Sequence, residues 1–314
     1  MSPLPNPDPN VFPPAALPQG VGEASACTVA FEQPAPLDQI GYEAADLEAI
    51  RRAIHAPDGL VLVVGPSGSG RRAALYSMLE DLDPSERCIQ TIESNPPRQV
   101  PQWRQLRVAS GRPCSGYRWE RALHRVLRRG AGVILIETIA SAGVAQLAIQ
   151  AAQAGHLVLS TMPISRACSV IAELRRLQAT TAQLIDGLSL VIAQRLIARL
   201  CPDCSAPDGR ELVRHALAAA LNTWLSGHAV RARRAAPEGC PRCGHAGYYG
   251  RVLAYELVEI DLHARSLIAS SVDPVELERA LLADGGAIWD RGLKRVADGS
   301  TSLDALQAAV RQAR

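Results

Sequence analysis

No run of residues in this sequence approaches the roughly 20 consecutive apolar positions that a membrane-spanning helix requires. Its first residues, MSPLPNPDPN, carry neither the basic segment nor the apolar core of a secretory signal. A cytoplasmic location is therefore expected. Charge of one sign is missing too: 33 Lys and Arg stand against 31 Asp and Glu, a formal net charge of +2. So near-neutral a chain has no global attraction for nucleic acid or an anionic membrane. Lysine is almost absent and arginine supplies the basic charge, which reads as compositional bias rather than as a binding signature.

What is present is ample apolar material. With 314 residues, 47% of them hydrophobic, the chain can form one large domain with an appendage, or two domains. Residues 1–36 are studded with proline and read as a disordered or extended tail. Apolar residues at helical spacing follow over 46–54, and Pro57-Asp58-Gly59 stops them. From Gly59 short apolar strands alternate with helices: strands are expected at 60–64, 88–92, 133–136 and 157–161, and helices at 72–82, 119–129 and 143–154. Such alternation implies an α/β fold with a mostly parallel sheet covered on both faces. Residues 171–200 are expected to be mainly helical, with a further helix at about 211–225 and a helical part from about 262 to the end. The expected division is a tail (1–36), a nucleotide-binding core (37–200), a cysteine module (201–255) and a helical C-terminal part (256–314).

The strand LVLVV runs directly into Gly65-Pro66-Ser67-Gly68-Ser69-Gly70-Arg71-Arg72, and a helix follows. This is the setting of a Walker A phosphate loop, in which glycines let backbone N–H groups converge on phosphate at a helix N-terminus. Lys and Ser/Thr ordinarily close that motif; here both places are arginine. Arg71 keeps the charge on a bulkier planar head, whereas Arg72 removes the hydroxyl that binds Mg²⁺ and sets a cation near the metal's place. The loop is thus a candidate for ATP without magnesium, or for an inherited turn that no longer holds phosphate.

The cysteines are of two kinds. Cys27, Cys88, Cys114 and Cys168 stand alone, whereas Cys201-Pro-Asp-Cys204 and Cys240-Pro-Arg-Cys243 are two knuckles. In a reducing compartment that spacing points to metal rather than disulfides, and four thiolates suit a closed tetrahedral Zn²⁺ site. A redox pair and four metal-free thiols are the other readings, and no strand–helix redox context surrounds either pair.

With these residues in view, the chain resembles the type II secretion and type IV pilus assembly ATPases, the secretion E-type family. The likeness spans about 37–312 and is carried by LDQIGY (37–42), GLVLVVGPSGSG (59–70), Leu75-Tyr76, TIE (91–93), AGHLVLST (154–161), LVIAQRLIARLCPDC (190–204), GCPRCGHAGYYGRVLAYEL (239–257) and DRGLKRVADGSTSLDAL (290–306). Both cysteine pairs together look like the extension type. The resemblance implies a RecA-like P-loop core, ATP as ligand, hexameric rings, and work at the inner membrane with an active ring ATPase and a membrane platform as partners.

The sequence departs from the family at its chemical boxes. Beyond Arg71 and Arg72, the acidic box T-x-E-D-P reads Thr91-Ile92-Glu93-Ser94-Asn95, so Glu93 remains without its neighbour. The Walker B ending G-E-x-R-D aligns with Glu137-Thr138-Ile139-Ala140-Ser141, and the histidine box with Ser160-Thr161-Met162-Pro163-Ile164-Ser165. Glu137 is offset by one residue from the family's glutamate, and alternation along a strand is expected to turn it away from the loop. The family also sets a domain before the core where this sequence shows only the Pro-rich tail, which leaves loss of that domain and a truncated start both open.

Two readings of catalysis follow: a non-hydrolysing pseudoenzyme that serves as nucleotide-binding or scaffold subunit, or a working motor with rearranged residues in which Glu93 or Glu137 is essential. Arginines 118, 121, 125, 128 and 129 lie on a basic helix that contacts phosphate or a neighbouring subunit, or is simply a solvated face. Arg231, Arg233 and Arg234 beside the knuckles lack the interleaved aromatics of a nucleic-acid surface. His156 is expected to serve packing near the site rather than catalysis. Trp103, Trp119, Trp224 and Trp289 are expected as core or interface anchors, and a decayed gene product would fail to fold.

Overall fold

The computed structural model describes residues 34–109, 115–225, 227–270, 273–282 and 286–311. The expected tail falls outside these except for its last three residues. In chain order the elements are α1 (Ala44–His55), β1 (Gly59–Val64), α2 (Arg71–Glu80), β2 (Ile89–Glu93), β3 (Arg104–Arg107), α3 (Ser115–Leu127), β4 (Val133–Ile136), α4 (Ala142–Gln153), β5 (Leu157–Met162), α5 (Ser169–Arg176), α6 (Thr181–Gly187), β6 (Leu188–Leu200), β7 (Ala206–Pro207), α7 (Glu211–Leu225), β8 (Arg233–Arg234), β9 (Tyr248–Glu259), α8 (Leu262–Ala269), α9 (Pro274–Leu281), α10 (Ile288–Ala297) and α11 (Leu303–Arg311).

A seven-stranded sheet in the order β3-β2-β4-β5-β1-β6-β9 organises the molecule. All neighbouring pairs are parallel except β6–β9. Because alternate side chains of a strand face opposite ways, each central strand feeds two cores. Val61, Val63, Leu135, Leu159 and Ile192 pack with Ile50 and Ile54 of α1 and with Leu75, Met78 and Leu79 of α2. Leu60, Leu62, Val64, Ile134 and Val158 pack on the other face with α3 to α6 and the C-terminal helices. That double burial is why β1, β4 and β5 read as unbroken apolar runs.

One expectation fails. Residues 188–200 form a 13-residue strand, not the end of a helical stretch. β6 lies between β1 and β9 with both faces covered: Leu190 and Ile192 enter one core, Val191, Ala193 and Ile197 the other. A short apolar segment buried on both faces has no period that distinguishes strand from buried helix. β6 also overhangs β1, since Val64 pairs with Ala193 while β6 runs on to Leu200.

The strand β9 crosses position 255 and returns antiparallel along β6, with Leu200 opposite Tyr248. Residues 201–247, including both cysteine knuckles, are therefore an excursion between two paired strands of the main sheet. The edge strand β3 has the sequence RQLR and no apolar run to announce it. Trp103 is buried beside Tyr76 (ring centroids 5.4 Å apart), Trp119 and Trp289 pack partly buried against the second core, and the Trp224 side chain lies outside the described ones. No helix among the described residues is long and apolar enough to cross a membrane.

Candidate functional site

The loop between β1 and α2 is built by its glycines and backed by the overhang of β6. Gly65 has φ +153°, and a Cβ there would lie 2.3 Å from Ser69 Oγ and 2.6 Å from Gln194 O. Gly68 (φ +78°) and Gly70 (φ +84°) take left-handed conformations that only glycine adopts freely. Ser69 N donates to Pro66 O (3.2 Å), closing the turn, while Ser67 and Gly68 are exposed at its tip. Gln194 of β6 donates to Ser69 O (2.8 Å) and accepts from the Tyr42 hydroxyl (3.1 Å), which fixes the loop to the sheet. Gly70 caps α2, whose first residue is Arg71.

Two polar atoms at this loop are buried without a hydrogen-bond partner among the described residues: Ser69 Oγ and Arg71 Nη1. Burial, and then the neighbouring Arg72 charge, hold the Arg71 guanidinium below its ordinary pKa. A half-buried cation with a second cation beside it and an unused donor is an environment that an anion relieves. The residues present therefore fit a phosphate group.

They do not fit a phosphate-bound magnesium ion. Arg72 occupies the position from which a hydroxyl would reach the metal, and its guanidinium donates to Glu137 Oε1. The other carboxylate oxygen of Glu137 accepts from Ser94 N (2.5 Å) and Ser94 Oγ (2.6 Å). Glu137 thus faces the loop, contrary to the expectation from strand alternation. The reason is that β4 ends at Ile136. Glu137 N still donates to Ile92 O (2.9 Å), but the residue lies beyond the pleat, so the alternation rule no longer sets its side-chain direction.

Glu93, the last residue of β2, is fully buried, with Tyr76 OH donating to its Oε1 (2.8 Å). Desolvation raises its pKa, and the Tyr76 hydrogen bond offsets only part of that rise. Its Oε2 has no partner among the described residues. The aligned Walker B and histidine-box positions are laced together: Ser160 Oγ donates to Ile136 O (2.8 Å), Thr161 Oγ1 to Glu137 O (2.8 Å), and Thr138 Oγ1 to Thr161 O (3.2 Å). Ile139 is buried and Ser141 caps α4 by accepting from Val144 N (3.3 Å). Ser165 O accepts from Arg195 (2.9 Å). Contrary to expectation, His156 is not near the site: it precedes β5, at the end of the sheet away from the loop, where its Nδ1 lies 2.7 Å from Ala131 O in a packing position.

The second candidate site brings all four knuckle cysteines together. Their sulfurs lie within 4.8 Å of one another, with Cys201–Cys240 at 3.7 Å, Cys204–Cys243 at 3.9 Å and Cys240–Cys243 at 3.8 Å. A tetrahedral ion with bonds of about 2.3 Å separates its sulfurs by about 3.8 Å, so the donor set fits zinc dimensions. Burial pushes the Cys204 thiol up to about 12, with the adjoining thiols adding to the rise. Burial also acts upward on Cys243, but amides of Cys240 (3.2 Å) and Gly247 (3.3 Å) donate to its sulfur and, together with the Cys240 and Cys204 thiols, outweigh it, giving about 6. Arg242 pairs with Asp203 across the knuckles (3.1 Å). Arg233 is spent on Ser205, its Nε donating to Oγ (2.9 Å).

Ser94, Gln194 and Tyr76 are the neighbours that reading the sequence missed. Tyr76 and Gln194 lay inside matched segments and Ser94 inside the aligned acidic box, but nothing in their spacing announces these contacts.

Residues 14–308 match the family described as Type II/IV secretion system protein. The putative type II secretion system protein E of Escherichia coli is 32% identical over 273 residues, covering 85% of this chain and 52% of its own length. The type II secretion system ATPase E of Vibrio cholerae is 32% identical over 276 residues, covering 88% of this chain and 53% of its own. The chain spans about half the length of the curated relatives it matches. Among solved structures, the pilus retraction motor PilT with bound ADP is similar with a TM-score of 0.61 at 21% identity, over 89% of this chain and 67% of that one. The Legionella pneumophila ATPase DotB gives 0.60 at 18%, over 89% and 66%. At such identities the likeness is one of fold.

Proposed function

We propose that this chain, which belongs to the Type II/IV secretion system protein family, serves as a nucleotide-binding or scaffold subunit of a secretion or pilus machine, with impaired hydrolysis. The observation that carries this reading is the ion pair between Arg72 and Glu137, completed by Ser94. It sets a side-chain cation where phosphate-loop enzymes hold Mg²⁺ and engages both oxygens of the carboxylate nearest the loop. Hydrolysis by such enzymes needs a group that orients or activates water. Here Glu137 is held, Glu93 is buried with its proton favoured, and the aligned hydroxyls are tied to neighbouring carbonyls.

What remains is binding. Backbone N–H groups of residues 67, 68, 70 and 71, the N-terminus of α2 and the unpaired Arg71 donor would hold phosphates, with Arg72 supplying part of the charge that magnesium supplies elsewhere. The four cysteines would hold a structural Zn²⁺ that fixes the 201–247 excursion. The partners would be other ring subunits or an inner-membrane platform, with the protein peripheral at the cytoplasmic face.

The same contact favours one rival. If bound nucleotide draws Arg72 away, Glu137 becomes a free carboxylate beside the loop, and the chain is a working ATPase with rearranged residues. Titration of the purified chain with ATP, with and without Mg²⁺, separates the two. Saturable binding that needs no magnesium, with no phosphate release, is expected. Mg²⁺-dependent binding with turnover lost in Glu137→Gln would establish the rival instead.

A further inference from the structure

Away from both sites, the edge of the sheet carries a concentration of exposed arginine. A cleft of about 610 Å³ lies between the end of β3 and the outer face of α3. Its walls bear Arg107 from β3 and Arg118, Arg121, Arg125 and Arg128 from α3 and its final turn, where Arg128 N still donates to His124 O (3.2 Å). The helical arginines follow a spacing of three, four and three residues, which sets them on one stripe about 15 Å long at 1.5 Å per residue. All five are exposed, and none forms an ion pair among the described residues. Elsewhere the surface behaves otherwise: Arg51, Arg52, Arg166, Arg176 and Arg210 each reach a carboxylate. The floor is apolar, with Val108 and Ala122 buried and Leu106 half-buried.

We propose that this cleft docks an acidic amphipathic helix of a partner protein, one carrying Asp or Glu at the same three- and four-residue spacing with small apolar residues between them. The shape selects among anions. A phosphate group draws guanidinium groups to a single point, whereas these are spread along a line. A planar guanidinium fork matches carboxylates in bidentate geometry, and repetition along a helix face lets several such pairs form in register. The apolar floor would take the partner's alanine or leucine side chains. The one ring in the lining is the His124 imidazole, and the neighbouring Tyr117 ring lies under Arg121 (5.6 Å), so the cleft lacks the row of aromatic platforms on which single-stranded nucleic-acid binding relies. The inference is independent of the nucleotide reading, since it uses none of the phosphate-loop residues.

The test is fluorescence anisotropy with the full chain and two labelled alanine-based helical peptides of one composition. One carries four glutamates on a single stripe at this spacing; the other distributes them around the helix. The striped peptide is expected to bind at least tenfold more tightly and to weaken with salt. Arg121→Glu/Arg125→Glu is expected to abolish that preference, Arg121→Gln/Arg125→Gln to reduce it, and Arg129→Glu, outside the cleft lining, to leave it intact. Circular dichroism checks that each variant is folded. Equal binding of the two peptides, or equal loss in Arg129→Glu, would reduce the cleft to diffuse charge and overturn the proposal. Displacement of the striped peptide by micromolar inorganic triphosphate, or tighter cleft-dependent binding to vesicles containing 30% phosphatidylglycerol, would overturn it in favour of a small anion or a lipid surface.

Discussion

The phosphate loop and the four-cysteine cluster both stand beyond the C-terminal ends of parallel strands, the first after β1 and the second after the longer β6. They treat charge in opposite ways. At the cysteines, four sulfurs converge at separations that suit a single cation. At the loop, Arg72 itself supplies a cation, and the opposing carboxylate of Glu137 is satisfied by Arg72 and Ser94. One region presents a donor set of metal-site dimensions; the other presents a side-chain ion pair. The shape of the loop is intact, and the carboxylate nearest it is engaged by Arg72 and Ser94; on the proposed reading, architecture and chemistry have separated within one fold.

The strongest way to break this contrast is to remove metal from the cysteines. In structural zinc sites on the order of 10 kcal/mol of binding free energy is linked to folding. Chelation, or Cys201→Ser/Cys240→Ser, is expected to melt the 201–247 excursion and strip support from the β6–β9 pairing. Circular dichroism and a thermal melt report it. An unchanged melt after verified chelation means that the thiols are held by packing alone.

Next in size is Gly65→Ala. The new Cβ would meet Ser69 Oγ and the Gln194 carbonyl at a φ that L-residues rarely adopt. A loss of about 1–3 kcal/mol is expected, together with loss of phosphate binding; denaturant unfolding and an ATP titration measure the two. A variant as stable as the parent would show that the loop is not braced by β6.

Arg72→Thr sharpens the comparison from the other side. It restores a hydroxyl and frees Glu137, whose charge keeps the Ser94 donors, so the stability cost of losing a partly exposed pair is only about 1 kcal/mol. Binding of ATP is expected to become magnesium-dependent, shifting at least tenfold on adding Mg²⁺. If the metal response does not change, Arg72 does not stand in the metal's place.

The smallest effect concerns Glu93. Burial raises its pKa, so the folded state holds this proton more firmly than the unfolded state does. That contribution is complete below the ordinary carboxylate value and is lost as pH rises through the folded one. Glu93→Gln keeps an acceptor for Tyr76 without the charge. It is expected to match the parent near pH 4 and to melt at higher temperature at pH 8. Parallel curves at both pH values would place the titration elsewhere.

Much of this was legible in the residues. The strand, loop and helix around Gly65–Gly70 are local, since glycine, apolar runs and helix starts write their conformations into sequence. The knuckles are equally local, because two residues between cysteines fix the bite of a thiolate pair. Other features depended on context. Residues 188–200 look helical until both faces are seen to be covered. The edge strand β3 has no apolar pattern and exists because β2 offers it a partner. Glu137 misled because alternation holds only while the strand lasts, and where β4 stops is a tertiary matter.

The sequence alone determined the family, the phosphate-loop shape and the four metal-ligand candidates, because these rest on short-range spacing and backbone freedom. Only the tertiary structure decided that Arg72 and Glu137 meet, that Gln194 braces the loop and that five arginines share one cleft. Those contacts join residues from different elements, and their distances are set by how the sheet and helices pack.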